Sequence, residues 1–214
     1  DLNNNLRPDN RSYLLNTLIS KDATFWAVRD KERNAFITKA VNFATDLTNN
    51  LHPDNRWYLL NTLLSKDATF WAGREKELNE LIAKAVDFAT DLTNKLPPYN
   101  RWYLLDRLIS NDATFWADRD EKLDELITKA VNFATDLTNK LDSNNRSSLL
   151  NTLISKDATF WAGRDEEFGK IERFLNDKKN NLSEKDKKDL QKTLASIKNP
   201  KKNLWDKIKS IFYF

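Results

Sequence analysis

Cysteine and methionine are absent from the 214 residues, histidine occurs once, and only three glycines and five prolines punctuate the chain. Without cysteine there is no disulfide, no thiolate metal site and no cysteine nucleophile. The lone histidine, His52, is too little for a histidine metal cluster or for Ser–His and Cys–His nucleophile arrangements. So few glycines leave no glycine-rich phosphate loop, and the scarcity of glycine and proline argues against a turn-dense all-β fold. No apolar run approaches the roughly 18 residues that a membrane-spanning helix needs. The missing methionine, at position 1 included, points to a processed or excised chain from which any signal peptide has gone. These absences make enzymatic activity an unfavoured expectation, with no catalytic residue, metal or cofactor to nominate.

Charge is unevenly spread. The net charge is +3, yet residues 176–214 carry eleven lysines and five acids, leaving the preceding stretch net negative. A phosphate-tracking surface needs the opposite distribution, so nucleic acid is not an expected partner.

What is present is repetition. Asp-Ala-Thr-Phe-Trp-Ala begins at Asp22, Asp67, Asp112 and Asp157, each 45 residues after the last, and Asn-Arg recurs at Asn10, Asn55, Asn100 and Asn145. A fixed period of this size means one supersecondary unit copied in tandem, each burying its apolar face on its neighbours. Four copies fill 1–45, 46–90, 91–135 and 136–180, and 181–214 is a basic C-terminal helical tail. The period is close to that of HEAT and armadillo units, but the unequal helices are not typical of them.

Within one copy, Pro53 suits a first helical position, as do Pro8 and Pro98, while Ser143 offers a cap in the fourth copy. Tyr58, Leu59, Leu60, Leu63 and Leu64 cluster on one side of the short helix that follows. Ser65 and Asp67 are N-cap candidates for a second helix, whose seam runs Trp71, Leu78, Leu81, Ala85, Phe88, Leu92. Continued from Asp67 to Asn94 it would be about 42 Å long. Gly73, Gly163 and the Asp118–Glu121 stretch hint at a break, but Val28 at the same position favours one long helix over three helices per repeat. The expected fold is all-α: tandem helical hairpins, one short and one long helix each, stacked as a solenoid or elongated bundle with a C-terminal helical cap.

Comparison among copies separates core from candidate site. The invariant Phe-Trp pairs read as repeated inter-helix core, and the invariant Arg29, Arg74, Arg119 and Arg164 as capping or cation–π contacts. Variation at unit positions 28–36 reads as drift on a solvated face. Position 12 is Ser12, Trp57, Trp102 and Ser147, with serine in the outer copies, as expected of array ends that lack a packing partner. Trp57 and Trp102 are thus either inter-repeat packing or, with Tyr58 and Tyr103, an exposed aromatic binding patch.

In the tail, Ser183 caps a helix ending before Pro200, and Leu204, Trp205, Ile208, Ile211 and Phe212 form an amphipathic helix with a basic polar face. It serves either as a cap over the array's open end or as a membrane-surface contact, the cap being favoured. The functional expectation is a non-enzymatic, protein-binding repeat scaffold, antigen- or adhesin-like, secreted or displayed on a cell surface, a cytoplasmic location remaining open. Three Asn-X-Ser sites (Asn10, Asn145, Asn181) matter in a glycosylating pathway. The alternative is a carrier holding an apolar small molecule or lipid between long helices.

Overall fold

The computed structural model describes residues 6–21, 23–26, 29–157 and 160–198. Position 28 and the amphipathic segment bearing Leu204, Trp205, Ile208, Ile211 and Phe212 lie outside them. The described chain is all helical, with no strand. The first copy supplies α1 (Pro8–Ile19), α2 (Ala23–Trp26) and α3 (Asp30–Thr45), and the second α4 (Pro53–Leu64), α5 (Ala68–Trp71) and α6 (Glu75–Thr90). The third supplies α7 (Pro98–Ser110), α8 (Ala113–Trp116) and α9 (Asp120–Thr135). After these come α10 (Ser143–Ile154), α11 (Asp165–Asn176) and α12 (Glu184–Lys198).

The expected long helix is therefore broken. Asp67 Oδ1 accepts from the Phe70 amide at 2.9 Å and starts a single turn, α5, and the chain then leaves the helix at Ala72. Gly73 takes φ +69°, and Asp118 and Gly163 take +59° and +78° at the same unit position. The left-handed residue redirects the backbone so that Arg74 opens α6 as a separate helix of 16 residues, about 24 Å long. Nothing lies within 4 Å of the place a Gly73 Cβ would occupy, so Gly73→Ala tests backbone strain alone. It is expected to cost about 1 kcal/mol in urea unfolding, while Asp118→Gly gains a similar amount.

The helix starts follow local chemistry. Pro8, Pro53 and Pro98 occupy first positions, where no amide donor is missed. In the fourth copy the cap is Asp142, whose carboxylate accepts from the Asn145 amide at 2.9 Å, and the expected cap Ser143 is instead the first helical residue. Ser65 closes α4 rather than opening the next helix.

The chain divides into two compact units, Asp1–Leu126 and Ile127–Phe214, the division falling inside α9. In the first unit α1 packs on α4, α3 on α4 and α6, and α7 on α4 and α6. Its core is leucine-rich: Leu59, Leu60, Leu63 and Leu64 of α4 and Leu81 and Ile82 of α6 are all buried. In the second unit α10 and α11 pack on α12, burying Leu149, Leu153, Ile171, Leu175 and Leu190.

A buried arginine ties each short helix to the end of the helix before it. Arg101, 3 % exposed, donates from Nε to the Leu96 carbonyl and from Nη1 to the carbonyls of Ala89 and Asp91. Its Nη2 donates to the Asn94 carbonyl and to Asn94 Oδ1, both at 2.8 Å. Arg56 and Arg146 make the equivalent contacts to Ala44, Asp46 and Asn49, and to Ala134, Asp136, Asn139 and Leu141. Helix C-termini leave carbonyls without intrahelical partners, and a cation there also opposes the helix dipole. Burial pulls each guanidinium below its ordinary pKa, partly offset by Asp46, Asp91 or Asp136; arginine stays charged regardless.

Two contacts of the clasp have counterparts beyond the fourth copy, with the spacing shortened to 41. Lys187 Nζ reaches the Asp177 carbonyl at 3.5 Å, as Arg146 reaches Asp136, and Asn180 Nδ2 donates to the Phe174 carbonyl as Asn139 does to Phe133. Helix α11 is one turn shorter than α6, which accounts for the missing four residues. Helix α12, opened by the expected Ser183 cap, thus stands where a fifth short helix belongs.

Four aspartates in the loops and caps hold carboxylates below the usual range. The hydroxyl of the threonine two residues on is the main cause in each, followed by backbone amides: Thr48 for Asp46, Thr69 for Asp67, Thr93 for Asp91 and Thr114 for Asp112. A folded pKa below the unfolded value of about 3.9 adds stability above that value, lost as pH falls through the depressed folded pKa. Thermal melts are expected to be flat between pH 7 and 5 and to drop below about pH 4, with a smaller drop in Asp67→Asn/Asp112→Asn.

Candidate functional site

The nominated aromatics come together in the first unit. Trp57 lies edge-on to Tyr103, ring centroids 5.8 Å apart, and 6.3 Å from Tyr58. Tyr103 continues to Trp102 at 5.9 Å, and Tyr99, not foreseen, closes the cluster at 5.4 Å from Trp102. Tyr58 and Tyr99 are 53 % and 52 % exposed, while Trp57, Trp102 and Tyr103 are half-buried. Packing and exposure thus coexist: Trp57 rests on the next copy's ring while its cluster faces solvent. Half burial lowers the expected cost of Trp57→Ala in urea unfolding to about 1–2 kcal/mol, from about 3–5 for a buried tryptophan.

The explanation from array ends fails at Ser12. That serine is buried and its hydroxyl donates to the Asn55 carbonyl of the next copy at 3.2 Å, so it has a neighbour just as Trp57 does. Adjacent copies are joined there a second time, where Asn55 Nδ2 donates to Asp9 and Asn100 Nδ2 to Asp54. In the third copy Tyr99 stands in place of this aspartate, so its ring joins the aromatic cluster instead.

Charge is partitioned between the helices that carry this cluster and those that do not. Helix α4 has one exposed charge, Asp54, its other charged residue being the buried Arg56; the rest of its outer side is Asn, Thr, Trp and Tyr. Helix α7 adds Asp106 and Arg107, both half-buried, besides the buried Arg101. Helix α6 of the same unit bears Glu75, Lys76, Glu77, Glu80, Lys84 and Asp87, all in contact with solvent.

The Phe-Trp motif separates into two roles. Trp71, Trp116 and Trp161 are buried, each packed against its preceding phenylalanine at 5.1 to 5.4 Å. Phe70 and Phe160 are half-buried and lie under cations, Lys66 and Lys156 at 5.8 Å. The invariant arginines cap the single-turn helices: Arg29 donates to the Phe25 carbonyl and Arg119 to that of Phe115 at 2.7 Å. Arg74 instead pairs with Glu77 at 2.9 Å. Position 33 of the unit, inside the stretch read as a solvated face, is buried in the second copy, at Leu78, and half-buried at Arg33, Leu123 and Phe168.

His52 is a helix cap, its Nδ1 accepting from the Asp54 amide. Among the described residues no group of three or more His, Cys, Asp or Glu could hold a metal ion, and no helix is long and apolar enough to cross a membrane. Two open clefts in the first unit involve the Phe-Trp residues, one of about 290 Å³ beside Trp71 and Phe115 and one of about 370 Å³ beside Trp26 and Phe70. No protein-family model, curated protein or solved structure matches this chain.

Proposed function

We propose that this chain is a non-enzymatic helical repeat scaffold that binds another protein through the aromatic face of α4 and α7. The observation that carries the reading is the five-ring cluster of Trp57, Tyr58, Tyr99, Trp102 and Tyr103 on a face with almost no exposed charge. Interface centres differ from other surfaces by depletion of charge and enrichment in Trp and Tyr. Amide and hydroxyl side chains around such rings add adaptable hydrogen bonding at little entropic cost. The copies in this reading stack in sequence order as a solenoid, with Tyr13, Tyr58 and Tyr103 at one position of the 45-residue period. Repetition raises avidity toward a partner that is itself multivalent. A secreted or cell-surface setting fits this use.

The test is a pull-down from the native source with three baits: the full chain, Tyr58→Glu/Tyr99→Glu, and Lys76→Ala/Lys84→Ala on α6. Both substituted pairs are at exposed positions, so melting temperatures should change by no more than about 3 °C. The full chain and the α6 variant are expected to retain the same protein, and the aromatic-face variant to lose it. Equal retention by all three baits overturns the assignment.

A further inference from the structure

The copies also serve as controls for one another, and one departure stands out. Unit position 33 is Leu78, Leu123 and Phe168 in three copies but Arg33 in the first. Leu78 is buried and Leu123 and Phe168 are half-buried, and the arginine, half-buried too, places a charge at this apolar position on the edge of the 370 Å³ cleft between the first two copies. Its guanidinium lies 5.2 Å from the centroid of the Phe70 ring, and Lys66 Nζ lies 5.8 Å from the same centroid. Lys21 completes the cationic lining, and Ile19 and Trp26 supply apolar wall. Asp67 is the one carboxylate among the described lining residues, and it is engaged by the Phe70 amide and the Thr69 hydroxyl. No carboxylate pairs with Arg33 among the described residues.

The corresponding positions of the next junction have lost this chemistry, with Leu78 in place of Arg33 and Asn111 in place of Lys66. Two cations share the Phe70 ring and a third, Lys21, lines the same cleft, an arrangement that self-repulsion opposes. Burial lowers the Lys66 pKa, Asp67 raises it in part, and Arg33 lowers it further. An anion between the cations relieves the repulsion, and a planar guanidinium suits a carboxylate or phosphate held by two hydrogen bonds. A cleft of this volume with mixed apolar and polar walls is the size of a small-molecule site.

We propose that the cleft formed by Lys21, Arg33 and Lys66 with Trp26 and Phe70 binds a small anion carrying an apolar body, its carboxylate or phosphate on the cations and its body against the rings. This site is separate from the aromatic face of α4 and α7 and stands whether or not that face binds a protein.

Calorimetric titration of the full chain with benzoate, phenyl phosphate and the neutral benzyl alcohol tests the assignment. At least one of the two anions is expected to saturate a single site with Kd below about 1 mM, and benzyl alcohol to bind about tenfold or more weakly. Preference between the anions identifies the head group as carboxylate or phosphate. Arg33→Leu installs the residue of the neighbouring copies and is expected to keep the fold while weakening the anion about tenfold. Lys66→Asn should do the same, and Lys84→Ala, at an exposed position of α6, should leave affinity unchanged. Absence of saturable anion binding, equal affinity for benzyl alcohol, or unchanged affinity in Arg33→Leu overturns the proposal.

Discussion

Arg101→Ala is expected to lower stability by about 3–5 kcal/mol, a large fraction of the roughly 5–15 kcal/mol that holds a domain folded. The side chain makes five hydrogen bonds, matching its five N–H donors, to carbonyls of Ala89, Asp91, Asn94 and Leu96 and to Asn94 Oδ1. Alanine leaves these acceptors at the C-terminal end of α6 without their partner and opens a void beneath α7. Each charge-assisted bond is worth more than a neutral one, but the larger effect is the desolvation of the groups left behind. Arg101→Lys is expected to recover less than half, because an ammonium at a single point cannot replace a planar fork. Urea unfolding of both variants checks this. A loss below about 1 kcal/mol for Arg101→Ala would mean that the clasp is dispensable.

Trp71→Ala is expected to cost a comparable amount, about 3–5 kcal/mol, because the indole is 2 % exposed and wedged against Phe70. The phenylalanine variants separate packing from hydrogen bonding. Trp116 Nε1 donates to the Leu108 carbonyl at 3.2 Å, whereas Trp71 Nε1 is shielded from solvent with no partner among the described residues. Trp116→Phe is therefore expected to cost about 1 kcal/mol more than Trp71→Phe, the net value of one buried hydrogen bond. Equal losses in the two variants would remove the hydrogen bond from the account. The motif is the same six letters in both copies, so any difference arises from context.

The sequence carries more of the helices than of their breaks. Leu59, Leu60, Leu63 and Leu64 are legible as core because apolar spacing reports burial directly, and all four are buried. The turn at Gly73 is less legible because Asp118 adopts the same positive φ without glycine, and a comparison leaning on Val28 concealed it. The arginine clasp was visible as the invariant Asn-Arg at the 45-residue period. Burial of a charged residue is not the ordinary expectation, however, so the period alone does not mark the arginine as core. Helix α12 is legible from its Ser183 cap, but its correspondence to α10 is not, because loss of one helical turn moves the register from 45 to 41 residues.

For the candidate site, equivalence at position 12 brought out Trp57 and Trp102, but no periodicity predicts Tyr99, which exists at its position in one copy alone. Half burial of the cluster comes from an inter-copy ring contact, a tertiary fact that spacing along one helix does not contain. Arg33 shows the converse. The letter change from leucine was in view, and only the burial of Leu78 in the neighbouring copy makes it chemically significant.

The most direct test of the central claim is photo-crosslinking in the native source from a benzophenone side chain at position 58, on the aromatic face, and at position 84, on the charged outer side of α6. The account predicts a crosslinked partner protein from position 58 and none from position 84. Crosslinks from position 84 alone, or from neither position, would contradict it.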